Sequence, residues 1–193
     1  FGIGVSGAIY IFIATEYFEL PEHASIALMF YFLTGFLAMP LWLKLAYAVG
    51  KDNAMKVALL YMTVINLALL PLAESGNVVV LWGFTILFGA GFGAPPTLIR
   101  SMMADISDED ELKTGQQRPG LFFALLTTTN KLGAAFAVGA SFTILELAFD
   151  FVPGGANDPA ALQGLLVTYS VGTALGLFCA FLPLIAYPLN KSE

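Results

Sequence analysis

Residues 101–133 read SMMADISDEDELKTGQQRPGLFFALLTTTNKLG, and the switch inside this stretch decides the fold. A dense run of acids and bases ends at Arg118. Pro119 and Gly120 then open an apolar run that carries one charge, Lys131, before Glu146. Proline suits the first helical position, where its missing N–H costs nothing. A helix that crosses about 30 Å of hydrocarbon needs about 20 mainly apolar residues, and this run supplies them. The expected architecture is all-α and polytopic, a bundle of membrane spans joined by short polar links.

The rest of the chain follows the same pattern. Of 193 residues, 58% are hydrophobic and 11% charged, against about a quarter charged in soluble domains. A soluble fold of this size has too much surface to hide so much apolar chain. Disorder requires the opposite composition. One cysteine, Cys179, excludes a disulfide framework. A net charge of −6 argues against a nucleic-acid partner. The expected partner is the lipid bilayer.

Six stretches qualify as spans: 1–17, 26–48, 54–73, 78–100, 120–148 and 163–189. Between them lie turn-forming or charged segments such as GKDNAMK, ESGN and DFVPGGANDPAA. The cations orient the bundle. Lys44, Lys51 and Lys56 gather at the second break, Arg100, Lys113 and Arg118 bracket the fourth, and Lys191 follows the last span. The first, third and fifth breaks hold acids and no Lys or Arg. The positive-inside rule then places the even breaks and both termini in the cytoplasm. The chain opens at Phe1 directly in FGIGVSGAIYIFIATEY, without a basic signal-peptide region. The expectation is a fragment cut in or just before a membrane helix.

Lys131 fits neither side of the membrane. It lies about 16 Å into the fifth span, near the midplane, where a lysine costs about 2.5–3.5 kcal/mol on insertion scales. Thr127 sits one turn before it on the same face, with Thr128, Thr129 and Asn130 adjacent. A structural lysine paired to a nearby group is the plain reading. A charge lining a watery path for substrate or ion is the functional one, and intramembrane charges favour it. Lys131, Thr127, Thr128 and Asn130 are therefore the candidate substrate and ion-coupling residues. The acid that would neutralise Lys131 is expected outside this sequence, since Glu146 lies about 22 Å further along the helix.

Gly89-x-x-x-Gly93 and Gly172-x-x-x-Gly176 place small residues on single helix faces, where helices pack closely. In GAGFGAPP (89–96), Gly89, Gly93, Pro95 and Pro96 mark a bend in the fourth span. Pro40 and Pro183 repeat that signal more weakly. Asn66 reads as interhelical glue and Cys179 as a small buried apolar residue. His23 has no metal-site spacing. In the linker, Asp105, Asp108 and Glu109 share a helix face, Glu109 pairs with Lys113, and Thr114-Gly115 stops the helix. With Arg118 these residues form either a solvated linker or a cytoplasmic charge latch. No cofactor, metal or enzyme motif is read; the only acid cluster, Asp105, Asp108 and Asp110, sits among cations.

The segment 101–133 resembles the glycoside-pentoside-hexuronide:cation symporters, the melibiose-permease-like branch of the major facilitator superfamily. The matching positions are Asp105, Asp108, Lys113, Thr114, Gly115, Arg118 and Lys131. Gly50-Lys51-Asp52 resembles the superfamily's cytoplasmic loop signature. The resemblance implies that residues 1–193 are helices seven to twelve of a twelve-helix transporter of the bacterial inner membrane. It further implies a sugar-like small-molecule substrate moved with Na⁺, Li⁺ or H⁺, the cation being held mainly by acids of the N-terminal half, which this chain lacks. Lys131 would stand beside the cation site and Thr127 near it. The alternatives are a lysolipid or other amphiphile as cargo, or a stand-alone six-helix protein working as a homodimer.

Overall fold

A computed structural model describes residues 1–185, and every described element is helical. The order is α1 (Gly2–Phe12), which closes in a π-helical turn over Ile13–Tyr17, then α2 (Pro21–Val49), α3 (Lys51–Leu72), α4 (Val78–Phe92), α5 (Ala94–Thr114), α6 (Pro119–Phe149) and α7 (Pro159–Ile185). Five stretches are long and apolar enough to cross a membrane: α2, α3, α4 with α5 taken together, α6 and α7. The run 1–17, expected as a full span, forms a shorter apolar helix. The expected end of the sixth span at 189, and Lys191, lie outside the described residues.

The helix boundaries follow from local chemistry. Pro21 and Pro119 open α2 and α6, and Gly115 ends α5 at φ 70°, the left-handed turn that favours glycine. Two boundaries differ from expectation. The second break shrinks from GKDNAMK to Gly50 alone, at φ 97°, so Lys51, Asp52 and Lys56 sit on α3 rather than in a loop. The second span begins at Pro21, five residues early, because proline starts the helix before the apolar run does. Pro40 and Pro183 leave their helices unbroken.

Glycines set the closest crossings. A Cβ on Gly89 would strike the Tyr31 carbonyl, and one on Gly93 would strike the Gly35 carbonyl, so α4 lies directly on α2. Gly2 and Gly176 meet in the same way, fixing α1 on α7. In lipid, such close backbone approach replaces the hydrophobic drive that packs soluble helices. Lining this core are Ile9, Ile13, Phe18, Met62, Leu81, Phe88, Leu145, Leu165 and Tyr169, all fully buried or nearly so.

The start of α1 packs against two helices: a Cβ on Gly133 of α6 would stand 3.5 Å from the Phe1 nitrogen, and Gly2 meets Gly176 of α7. Cys179, expected buried, is exposed. Asn66, expected as interhelical glue, is fully buried with both amide atoms unpartnered.

Candidate functional site

Lys131 is exposed on α6, and so are Thr127, Thr128, Thr129 and Asn130. Among the described residues no ion pair reaches Lys131. The buried row of α6 is Ala137, Ser141 and Leu145. Seven residues back from Ala137, Asn130 continues that row. Thr127 and Lys131, one turn apart, share the adjoining flank. Helical spacing thus keeps Thr127 and Lys131 on one face, with Thr128, at i−3 to the lysine, beside them.

A cleft lies on another part of the bundle. On α1, Gly4, Gly7 and Ile11 form one stripe at i, i+3 and i+7. At Gly4 an added Cβ would touch the Ala137 side chain and the Ala134 backbone of α6. Gly7 and Ile11 line a cleft of about 330 Å³ between α1, α2, α4 and α7. Aromatic rings build the cleft wall: Tyr31 lies 4.9 Å from Phe92 and 6.0 Å from Phe88, and Phe88 stacks on Phe84 at 5.4 Å. This wall was not expected from the sequence. Its signal was the spacing of Phe84, Phe88 and Phe92 at i, i+4 and i+8, which reads equally as lipid-facing surface.

The bend residues sit beneath the same wall. The helix divides at Gly93, with α5 carrying Pro95 and Pro96 in its first turn. Gly93 keeps right-handed helical angles, φ −64° and ψ −24°, so the junction is a joint between two helices and not an unwound loop. The Trp42 indole N–H donates to the Ala90 carbonyl at 2.7 Å, and the Tyr61 hydroxyl donates to the Leu87 carbonyl at 2.7 Å, tying α2 and α3 to the turns before it.

The linker residues form ion pairs at the lysine-bearing end of the bundle. Asp105 accepts both Lys51 contacts at 2.7 Å, joining α5 to the start of α3. Glu109 pairs with Lys113 one turn on, as expected. Asp108 is exposed. Arg118 clamps Asp110 with bonds of 2.8–3.1 Å. The reading singled out Asp105, Asp108 and Glu109, and missed Lys51 and Asp110. The Gly115 turn folds the chain back, bringing residues eight apart together, which helical spacing alone does not show. Gln117 reinforces the turn by donating to Glu111 at 2.8 Å. Buried Asp52 is held by Lys56 at 3.0 Å.

The other end is knitted by one carboxylate. Glu16, in the π-helical turn, accepts from the Gly154 N–H at 2.9 Å and from Asn157 Nδ2 at 2.7 Å. Asn157 also holds Val152 through its N–H and carbonyl. The Gly76 N–H donates to the Phe18 carbonyl at 2.8 Å. Near it, His23 packs its ring 5.7 Å from Trp82. No group of His, Cys, Asp and Glu among the described residues is arranged to hold a metal.

Comparison with known proteins adds to this geometry. Residues 1–191 match the family described as MFS/sugar transport protein. An uncharacterized symporter of Synechocystis sp. is 28% identical over 127 residues, which is 63% of this chain and 23% of that protein. The uncharacterized symporter YnaJ of Bacillus subtilis is 24% identical over 161 residues, 83% of this chain and 34% of that protein. The chain spans about a quarter to a third of the length of the curated relatives it matches.

Proposed function

The chain belongs to the MFS/sugar transport protein family, and on that premise we propose that it is the C-terminal six-helix half of a twelve-helix, cation-coupled symporter for sugars or similar small solutes. An integral membrane protein of a transporter family has no need of a catalytic centre, and we read it as a non-enzyme. The observation that carries the proposal is the exposed face of α6. A membrane-length helix leaves Thr127, Asn130 and Lys131 exposed along one side, and a cation there is stable only against water or an anion. An N-terminal six-helix bundle packed on this side of α6 supplies both.

In this reading the two bundles rock about a midplane site. Na⁺, Li⁺ or H⁺ is held mainly by acids of the partner bundle, and Lys131 exchanges with the cation as their countercharge. The Gly93–Pro96 joint lets α4 and α5 change their relative angle. The pairs Lys51–Asp105, Glu109–Lys113 and Arg118–Asp110, with Asp108 free to meet a cation of the partner bundle, hold the lysine-bearing end closed on the cytoplasmic side. Both termini then face the cytoplasm, and the bacterial inner membrane is the setting.

Uptake of radiolabelled sugars into cells or proteoliposomes carrying the whole transporter tests the proposal. Accumulation that rises with an imposed Na⁺, Li⁺ or H⁺ gradient is the expected result. Uptake indifferent to all three gradients would contradict it.

A further inference from the structure

The cleft between α1, α2, α4 and α7 has a chemistry that a sugar ring does not match. Its wall holds a run of nearly parallel rings: Phe84 and Phe88 are inclined by 12°, and Phe88 and Tyr31 by 28°. Facing them is Gly7, where an added Cβ would meet nothing within 4 Å. The space between this aromatic wall and α1 is a slot of about 330 Å³.

The hydroxyls of the slot are mostly spent. Ser6 donates to the Ile3 carbonyl at 3.1 Å, Tyr10 to the Ala24 carbonyl at 3.0 Å, and Thr85 to the Leu81 and Trp82 carbonyls at 3.0 Å each. Tyr31 and Tyr169 make no hydrogen bond among the described residues. A sugar ring pressed into the slot would find uncommitted hydroxyl donors only at Tyr31 and Tyr169, the other three hydroxyls being left only as acceptors, and every sugar oxygen or hydroxyl left unpaired costs free energy. A flat apolar ring continues the existing stack and needs one or two hydrogen-bonding oxygens at its edge.

We propose that this cleft is the subsite for a planar aromatic ring carried by the cargo, gripped between the Phe84–Phe88–Tyr31 stack and Gly7. The proposal rests on the transporter reading given above and narrows its substrate to small solutes bearing such a ring, an aryl glycoside being the simplest. The polar part of the cargo then projects past Gly7 and Ile11.

Saturation-transfer NMR on the protein in lipid nanodiscs tests this with three probes: phenyl, cyclohexyl and methyl β-D-glucopyranoside. The phenyl ring protons are expected to receive saturation, with binding about tenfold tighter than the cyclohexyl probe and none detected for the methyl probe. Gly7→Trp fills the slot and is expected to erase the phenyl signal. Gly7→Leu, a smaller filler in a helix that tolerates leucine well, is expected to weaken it, and helical circular dichroism checks that both variants fold. An unchanged phenyl signal in both variants, or equal binding of cyclohexyl and phenyl probes, overturns the subsite. Gradient-driven uptake is measured separately: its absence for every solute overturns the transporter reading, whereas uptake without ring binding overturns only the subsite.

Discussion

Helices α6 and α7 are both apolar and membrane-length, yet they are used in opposite ways. From Ala161 to Leu177, α7 buries ten residues, among them Tyr169, Ser170 and Thr173. Over its 31 residues α6 buries three, Ala137, Ser141 and Leu145. The polar side chains Thr168, Ser170 and Thr173 of α7 lie inside the bundle, and those of α6 at Thr127–Lys131 lie outside it. Apolar composition therefore marks a span but not its neighbours: α7 is an internal strut, and α6 is a surface awaiting something that tolerates a cation.

That contrast can be broken or sharpened by mutation. The largest effect is expected at Lys131. In the whole transporter, Lys131→Ala should abolish gradient-driven uptake while membrane insertion and thermal stability stay unchanged. Undiminished uptake would make α6 a second strut. Next in size is Gly176→Leu, which forces a side chain into the Gly2 backbone. Overpacking of this kind costs about 1–3 kcal/mol, visible as a lower melting temperature in detergent. Gly139→Leu on α6, where an added Cβ meets nothing within 4 Å, should leave the melting temperature in place.

Smaller still is Glu16→Gln, which weakens the two bonds that hold the 152–157 loop. A charged hydrogen-bond acceptor is worth about 1.5–3 kcal/mol, and part of it survives in the amide. Faster hydrogen exchange at Gly154 and Gly155, without a change in α7, is the expected readout. The smallest effect belongs to Lys51→Ala. Its pair with Asp105 is about a third exposed on each side, so a stability loss of about 0–1 kcal/mol is expected from chemical unfolding.

Much of the fold was legible in the residues. Pro119 and Gly115 announced helix ends through backbone chemistry that neighbours do not override. The Glu109–Lys113 pair followed from spacing along a single helix. What escaped depends on partners distant in sequence. Lys51 reaches Asp105 across two helices, Asp110 reaches Arg118 around a left-handed turn, and the aromatic cleft needs four helices to exist. Cys179 was misjudged because burial depends on which side of a helix a residue takes, not on the character of a cysteine. Asn66 looked like glue because an amide in a span usually finds a partner, and here neither amide atom does.

The central claim is that the Thr127–Lys131 flank of α6 lines a watery path in the assembled transporter. Cys179 is the one cysteine of these 193 residues; replacing it, and every cysteine elsewhere in the assembled transporter, with serine provides the background for single cysteines at Thr127, Lys131, Leu132 and Phe136. Reaction of each with a small, water-soluble, membrane-impermeant thiol reagent is the direct measurement. Fast labelling at positions 127 and 131, with 132 and 136 unreactive, is the predicted result. Equal labelling at all four, or none at 127 and 131, would contradict it.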